Sequence, residues 1–242
     1  MKKYLFLAFI PFMCFGIGGC DKFNNSGKDP SQETGGNTEE VFKLGDTTLL
    51  FSFAGTSESE EIKVGKVKGL SEVNEDWLSL RLDGEILHMD IYKNEDTEER
   101  SAVIDLLYDD GAKSCMKISQ VGYAEVEIDF TGQPFKDDAG RISLIVESVT
   151  LIGGASDMMM KIYTEQNVLS NEGNIPYDKY IGDVLAGGED VYDYEDYLAA
   201  KEADEDFVIS SGIPADMFVM LFVVAVDEFG NPGKFIPITI NA

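Results

Sequence analysis

The chemically most distinctive part of the chain lies between Tyr177 and Asp206. Five of the ten tyrosines fall between Tyr177 and Tyr197, and ten acidic residues from Asp183 to Asp206 stand against the single basic residue Lys201. Aromatic rings stack on the apolar faces of sugars, and carboxylates accept hydrogen bonds from sugar hydroxyls. The helical spacing of the tyrosines favours their packing onto the sandwich. A ligand surface is the alternative, with Tyr177, Tyr180, Tyr194 and Tyr197 as its candidate residues.

Catalytic and metal chemistries find no support in the residue patterns. The acidic run lacks the Asp-x-Asp-x-Asp-Gly loop and later Glu of a calcium site, and His88 is the only histidine. No GxSxG, HExxH, CxxC or phosphate-binding loop stands in a supporting context, and no pair of carboxylates is singled out for glycoside hydrolysis. We expect no enzyme activity, no catalytic residue, no metal site and no cofactor.

Three single residues in strand-like segments have structural interpretations. His88 alternates with apolar neighbours, which predicts a position on the solvent side of a strand. Trp77 is expected to anchor the core at a strand start, with a sugar-stacking platform as the alternative. Arg100 follows an acidic turn and is expected to pair with Glu98 or Glu99, a surface contact of small value.

The amino terminus carries the features of an export signal. Lys2 and Lys3 form a basic start, and the uncharged stretch 4–19 has 16 residues, fewer than the ~20 that span a bilayer as a helix. Its end, Ile17-Gly18-Gly19-Cys20, resembles a bacterial lipobox. This resemblance implies that residues 1–19 are a lipoprotein signal peptide and that Cys20 is lipidated; secretion with an unmodified Cys20 is the alternative.

The predicted lipid anchor determines where we expect the protein and which of its cysteines could form a disulfide. Acyl chains on Cys20 would hold the protein on a membrane, and residues 20–40 are polar and Gly-rich, which predicts a flexible tether. With Cys14 removed and Cys20 lipidated, Cys115 has no disulfide partner and is expected to be a buried small hydrophobe. We expect an outer-membrane lipoprotein of the cell envelope. The sequence does not distinguish a position on the cell surface from one on the periplasmic face.

Length and composition limit the number of domains and the classes of partner. The 242 residues suit one large domain or two of roughly 100–120 residues. With 44% hydrophobic residues the chain can bury a core, whereas 45 acidic against 19 basic residues, a net charge of −26, argues against nucleic-acid binding.

Residues 41–122 alternate between apolar and polar side chains over short runs separated by turn residues. Strands are expected at 48–54, 61–67, 77–82, 86–92, 102–108 and 112–121. Six or seven strands without a long helix predict a β-sandwich. This segment resembles a BACON domain, a family whose name records an association with Bacteroidetes and carbohydrate-related proteins. The resemblance rests on Trp77-Leu78-Ser79, Leu87–Asn94, Arg100–Ile104 and Ile118-Ser119-Gln120-Val121-Gly122. It implies the fold and no site, and the turn Asn94–Glu99 is more acidic than the family pattern.

Residues 123–242 follow almost without a linker, which is expected to limit domain movement. Strands are expected at 124–130, 141–151 and 158–163, and the apolar run Met217–Val226 predicts a central strand buried on both faces that feeds a final hairpin. The segment Val223–Asn231 resembles the last two strands of a fibronectin type III domain, although the usual tyrosine is missing. We expect an immunoglobulin-like sandwich.

A small helical insertion, residues 167–206, interrupts the second strand pattern. Pro176 is expected to open one helix, and Asp193, with Asp196 three residues later, to cap a second. The expected fold is mostly β: two consecutive immunoglobulin-like β-sandwiches, the second with this insertion.

These features predict a membrane-anchored, non-catalytic accessory lipoprotein that binds glycan or mucin. The alternative is a structural spacer or protein–protein interaction lipoprotein without carbohydrate binding. The expected partners are the membrane, through the lipid, and either a glycan or a protein.

Overall fold

The computed structural model describes residues 42–169, 177–188 and 190–241. The signal peptide, Cys20 and the tether 20–40 lie outside the described residues, as do residues 170–176 of the helical insertion. Among the described residues, no helix combines the length and apolarity that a bilayer crossing requires.

The first sandwich contains seven strands in two sheets. One sheet has the order β1-β7-β6-β3 and the other β2-β5-β4, and β1 runs parallel to β7 whereas the other pairs are antiparallel. The strands are β1 (Thr47–Phe51), β2 (Glu60–Lys63), β3 (Val67–Leu70), β4 (Leu78–Asp83), β5 (Ile86–Ile91), β6 (Arg100–Tyr108) and β7 (Lys113–Gln120). Sequence patterns predicted all except β3, which is short and contains Gly69.

The first core forms because apolar residues alternate along the facing strands. Leu87, Ile104, Met116 and Ile118 are fully buried between the two sheets. Trp77 is 7% exposed and belongs to the same core, which confirms its predicted role as an anchor. Each large apolar side chain buried in this way contributes about 1.5–3 kcal/mol.

The second sandwich also pairs a four-stranded sheet with a three-stranded one. The sheet orders are β11-β10-β13-β14 and β12-β9-β8, and all strand pairs are antiparallel. The strands are β8 (Glu125–Lys136), β9 (Ile142–Ile152), β10 (Ala155–Thr164), β11 (Val191–Asp193), β12 (Phe207–Ser210), β13 (Phe218–Asp227) and β14 (Pro232–Asn241). The chain is therefore mostly β and contains two consecutive immunoglobulin-like β-sandwiches.

Strand β13 has an apolar cluster on each of its faces, as predicted. Leu221 and Val223 point into the sandwich interior, whereas Phe222 and Val224 point to the outer face of the sheet. All four are completely buried. The outer face is covered by helices, which explains why every residue from Val219 to Val226 is apolar.

Three helices accompany this domain: α1 (Glu165–Leu169), α2 (Tyr177–Leu185) and α3 (Tyr194–Glu202). Helices α2 and α3 occur where the sequence predicted them. Asp193 caps α3, because its carboxylate accepts from the Asp196 backbone N–H (2.9 Å) while Asp196 accepts from the Asp193 N–H (3.2 Å). The two helices do not form a simple hairpin, since the unpredicted strand β11 lies between them and pairs with β10.

Two of the single-residue predictions are wrong. Arg100 does not pair with Glu98 or Glu99: its guanidinium donates to Gln120 Oε1 (2.8 Å) and lies 4.9 Å from the Trp77 ring centroid. The β6–β7 register places Arg100 directly opposite Gln120, which explains this contact. Cys115 is only half-buried, because it lies on the opposite side of β7 from the buried Met116.

The prediction for His88 is confirmed. Its neighbours Leu87 and Met89 are buried in the core, and the imidazole lies on the other side of β5. There its Nδ1 atom lies 3.2 Å from the Glu61 carboxylate on β2, the adjacent strand.

Candidate functional site

The four candidate tyrosines do not form one surface. Tyr180 is 4% exposed and stacks on Phe222, with ring centroids 4.9 Å apart. Tyr177, on the same helix, is 43% exposed and packs edge-on against Phe235, with ring centroids 5.4 Å apart. Both therefore hold α2 against the outer face of the sheet, where only the ring of Tyr177 reaches solvent.

A polar cluster beside this contact fixes α2 to β10. The Tyr163 hydroxyl donates a hydrogen bond to the Asp183 carboxylate, and Lys161 Nζ lies 3.4 Å from the same carboxylate. Burial, together with this hydrogen bond, raises the pKa of Tyr163. The same bond lowers the pKa of Asp183, assisted by the Lys161 charge and opposed by partial burial.

Tyr194 and Tyr197 pack at a different place, beside the sandwich interior. Their rings stack with centroids 5.8 Å apart, and Tyr197 contacts Phe207 edge-on at 5.7 Å. Phe207 belongs to the interior core, whereas Phe222, the contact of Tyr180, belongs to the outer cluster. The tertiary structure thus separates the tyrosines into two pairs on two faces of the sheet.

A shallow surface depression lies at the start of α3, beside Tyr194. It has a volume of ≈370 Å³ and is lined by Ser156, Asp157, Asp193, Tyr194, Glu195 and Leu198. Leu198 is 42% exposed, so this apolar side chain of α3 lies at the surface. Asp157 accepts from the Tyr194 backbone N–H at 3.1 Å, which means that this carboxylate already has a structural role.

Metal binding has no site among the residues that the structure describes. No three His, Cys, Asp or Glu side chains there come together in a way that would hold an ion. The acidic side chains around α3 are instead spread over an exposed surface, where their mutual repulsion is screened by solvent.

The junction between the sandwiches is built around a buried carboxylate. Asp227, at the end of β13, is 2% exposed and accepts hydrogen bonds from the Ser52 hydroxyl of the first sandwich and from the backbone N–H groups of Phe229 (3.0 Å) and Asn231 (2.8 Å). The Asn231 side chain donates back to Ser52 Oγ at 2.9 Å. The β13–β14 turn is therefore fixed to the segment that follows β1.

An aromatic side chain crosses the same junction. Phe53, two residues after β1, is 3% exposed and packs within the core of the second sandwich. Its ring meets Tyr123 edge-on, with centroids 5.1 Å apart, and Lys93 Nζ lies 5.5 Å from the Tyr123 ring centroid. The second core is thus completed by a residue from the first sandwich.

Gly122 allows the two sandwiches to approach this closely. A Cβ atom at Gly122 would lie 1.9 Å from the carbonyl oxygen of Thr97, a distance that no side chain tolerates. The adjacent Tyr123 N–H donates to the Asp96 carbonyl at 2.7 Å. The acidic turn 94–99 therefore lies directly against the start of the second sandwich.

Gln120 organises the polar part of this end of the first sandwich. It is fully buried, and its amide donates to the backbone carbonyls of Ser52 (3.0 Å), Phe53 (3.2 Å) and Tyr92 (2.9 Å). Its oxygen accepts from Arg100, which also donates to the Tyr92 carbonyl at 2.7 Å. Both the amide nitrogen and the oxygen of the Gln120 side chain have hydrogen-bond partners. Because two of these partners are the carbonyls of Ser52 and Phe53, the network fixes the backbone position of Phe53.

Asn94 supplies a second buried amide at the same end. It is 1% exposed, and its side chain donates to the carbonyls of Glu98 (2.9 Å) and Val121 (3.1 Å) while accepting from the Asp96 N–H (3.3 Å). Asn94, Arg100 and Gln120, which belong to the segments that resemble a BACON domain, therefore make hydrogen bonds within the first sandwich at the end next to the junction. The sequence predicted a short junction, because the Gln120-Val121-Gly122 ending is followed at once by a new strand, but it did not identify the side chains that make the contacts there.

No protein-family model and no curated protein matches this sequence. Similar solved structures include a multidomain fragment of titin, with 11% identity and a TM-score of 0.38 over 82% of this chain and 62% of that one. Extracellular domains 3–5 of Drosophila OTK are 8% identical, with a TM-score of 0.32 over 84% of this chain and 61% of that one. The first two immunoglobulin domains of DIP-gamma have 8% identity and a TM-score of 0.33, covering 83% and 94%. The chain spans about three fifths of the titin and OTK fragments. These similarities concern the fold alone.

Proposed function

We propose that this protein is a non-catalytic lipoprotein of the cell envelope in which a rigid first sandwich presents the second sandwich to a partner. Cys20 is the proposed attachment point of the lipid, and residues 20–40 are the proposed tether. The first sandwich is the spacer, and the proposed outer-membrane location follows from the same sequence features.

The contact between Ser52 and Asp227 carries this proposal. A flexible pair of domains would be joined by a solvated linker with few contacts across it. Here a buried carboxylate, an aromatic side chain and a glycine contact all cross the junction. Such a junction transmits the orientation of the first sandwich to the second, which is the property that a spacer requires.

Two measurements test the two parts of this proposal. Cys20→Ala in the full-length chain should move the protein from the membrane fraction to the soluble fraction; continued membrane association would refute the anchor. Spin labels at Val103 and Val208, one in each sandwich and both exposed, should give a single narrow distance distribution. A broad or multimodal distribution would refute the rigid spacer.

Glycan or mucin binding is the second candidate function. It is favoured by the depression at α3, where the ring of Tyr194 and the side chain of Leu198 stand beside Asp193 and Glu195. Tyr194 is half-buried, and a sugar ring can stack on the part of such a ring that reaches solvent while carboxylates accept from the sugar hydroxyls. Tyr180 does not take part in this version, because it is buried against Phe222.

The glycan candidate is tested with the chain from residue 21 onward on a broad glycan and mucin panel. Tyr194→Ala with Leu198→Ala should abolish binding, whereas Tyr177→Ala on the other face of the sheet serves as the matched control. Equal binding by both variants, or no binding by the parent chain, would exclude this site.

A further inference from the structure

The second sandwich has an end that lies opposite the junction, and its loops expose apolar side chains. Strands β8, β10 and β14 run away from the junction, and β9 and β13 return to it, so the turn 137–141 and the loop 211–217 lie at the far end. A ten-residue strand spans about 30 Å. This distal end is the part of the second sandwich most remote from the first.

Three large apolar side chains are exposed at the distal end. Met217 is 58% exposed and Ile213 is 42% exposed, both in the loop 211–217, and Phe135 at the end of β8 is 42% exposed. Scattered apolar residues are common on protein surfaces, but two in one seven-residue loop, with Pro214 also exposed between them, form a local concentration.

The loop that carries them is held in place rather than left free. The hydroxyl of Ser211 accepts from the Ile142 N–H (3.0 Å) and donates to the Ile213 carbonyl (2.8 Å), while the Ala215 N–H donates to the Gly140 carbonyl (3.3 Å). Binding to a loop that is already ordered costs less conformational entropy, so these contacts favour recognition.

A buried carboxylate lies beneath the same loop. Glu165 is 4% exposed and accepts from the Asp216 N–H at 2.9 Å. Asp216 in this loop and Asp138 in the turn 137–141 are exposed. Arg141 at this end is paired with Asp137, with Nε and Oδ2 2.6 Å apart, and Lys136 at the end of β8 is exposed. The distal end is therefore both apolar and negative.

We propose that the distal end binds a partner protein through a surface of apolar side chains surrounded by lysine or arginine. The inference rests on the proposed presenting function and names the surface presented. Residues 123–242 contain 23 acidic and six basic side chains, so an acidic protein or a second copy of this chain is repelled. Two of the three apolar side chains, Ile213 and Met217, are aliphatic: they pack into protein pockets but offer no flat face for a sugar ring, which leaves Phe135 as the one aromatic ring of the three.

Site-specific photo-crosslinking in the producing cells tests this proposal with the full-length chain. A photoreactive amino acid replaces Ile213 or Met217, and in the control it replaces Val103, which is exposed to the same 58% as Met217 but lies in the first sandwich. We expect one discrete protein adduct from positions 213 and 217, at least about tenfold stronger than from position 103.

Two further criteria separate a specific partner from a chance neighbour. With the photoreactive residue at position 213, Met217→Lys should reduce the adduct by roughly tenfold, because it removes an apolar contact and adds a charge that a basic partner repels, whereas Met217→Leu should leave it unchanged. The crosslinked peptide of the partner should contain apolar residues next to lysine or arginine.

Several outcomes would overturn the distal-end proposal: no adduct, an adduct with a second copy or with a glycan, an acidic crosslinked peptide, or equal yield from position 103. Membrane fractionation of the same cells tests the lipid anchor separately, and the spin-label distance tests the rigidity of the junction separately. An inert distal end on an anchored, rigid protein would refute only this inference and leave the proposed function intact.

Discussion

The carboxylate of Asp227 accepts a hydrogen bond from the hydroxyl of Ser52, although the two residues are 175 positions apart in the chain. Both side chains are buried between the sandwiches, and Asn231 completes the contact by donating to Ser52. One sandwich thus provides part of the hydrogen bonding that a buried charge in the other requires. The two sandwiches are consequently expected to unfold together.

Asp227→Ala should lower the free energy of unfolding by about 2–4 kcal/mol, because it leaves the Ser52 hydroxyl and two backbone N–H groups without their acceptor. Urea denaturation measures the effect. Asp138→Ala, at an exposed position in the 137–141 turn, should change the free energy by less than about 0.5 kcal/mol. Equal effects of the two substitutions would contradict the structural role of Asp227.

Phe53→Ala should lower the free energy of unfolding by about 3–4 kcal/mol, since it empties a site in the core of the second sandwich. Phe229→Ala is the control, because Phe229 is 46% exposed. Hydrogen exchange locates the effect: protection should fall in β8, β10 and β13 although the substituted residue belongs to the first sandwich. Loss of protection confined to residues 42–122 would contradict the shared core.

Gly122→Ala should prevent the close approach of the two sandwiches, because the added methyl group would meet the Thr97 carbonyl. We expect a loss of at least about 3 kcal/mol or separate unfolding transitions of the sandwiches. Gly182→Ala, in the middle of α2 with open space around it, should instead stabilise the protein by about 0.5–1 kcal/mol. A lower free energy of unfolding for Gly122→Ala and a higher one for Gly182→Ala would show that the loss comes from the junction and not from replacing glycine by alanine.

The contact between Tyr163 and Asp183 should give the stability a pH dependence in the acid range. Because the pKa of Asp183 is lower in the folded protein than in the unfolded chain, the unfolded chain takes up this proton first. The stabilisation is present above the ordinary carboxyl range and is lost as pH falls toward the folded-state pKa. Asp183→Asn should therefore cost about 1 kcal/mol at neutral pH, and the difference from the parent should shrink as the pH is lowered. A difference that stays constant between neutral and acid pH would refute this assignment.

The tyrosine substitutions should separate structural from exposed positions. Tyr180→Ala should cost about 3–4 kcal/mol, because the ring is buried between α2 and Phe222. Tyr177→Ala should cost much less, since that ring is 43% exposed. Thermal unfolding followed by circular dichroism measures both, and similar losses from both would contradict the packing described for α2.

Several features could be predicted from local patterns because their causes are local. Local patterns identified eleven of the fourteen strands among the described residues. Alternation indicates half-buried strands, because such a strand places every second side chain in the core, and a continuous apolar run indicated β13. Asp193 and Asp196 identified the start of α3, because a capping box satisfies backbone groups within one turn. The missed strands β3, β11 and β12 have three or four residues, too few for a period to be visible, whereas the equally short β2 overlaps a longer alternating run, 61–67.

The candidate site depended on contacts that no local pattern contains. Tyr180 and Tyr197 occur in helices with similar spacing, yet the first packs on Phe222 and the second on Phe207. Which face of the sheet each helix covers is decided by the path of the whole chain. Likewise, Arg100 bonds to Gln120 rather than to its acidic neighbours, because adjacent strands bring these two residues opposite each other.

The amino-acid sequence alone determined the mostly β fold, the positions of two helices and the acidic character, because periodicity, capping and charge act over a few residues or over the composition as a whole. Only the tertiary structure decided that Phe53 completes the second core and that Ser52 serves Asp227. The reason is physical: burial and hydrogen bonding reward whichever groups meet in space, and the meeting of residues 175 positions apart is a property of the folded chain.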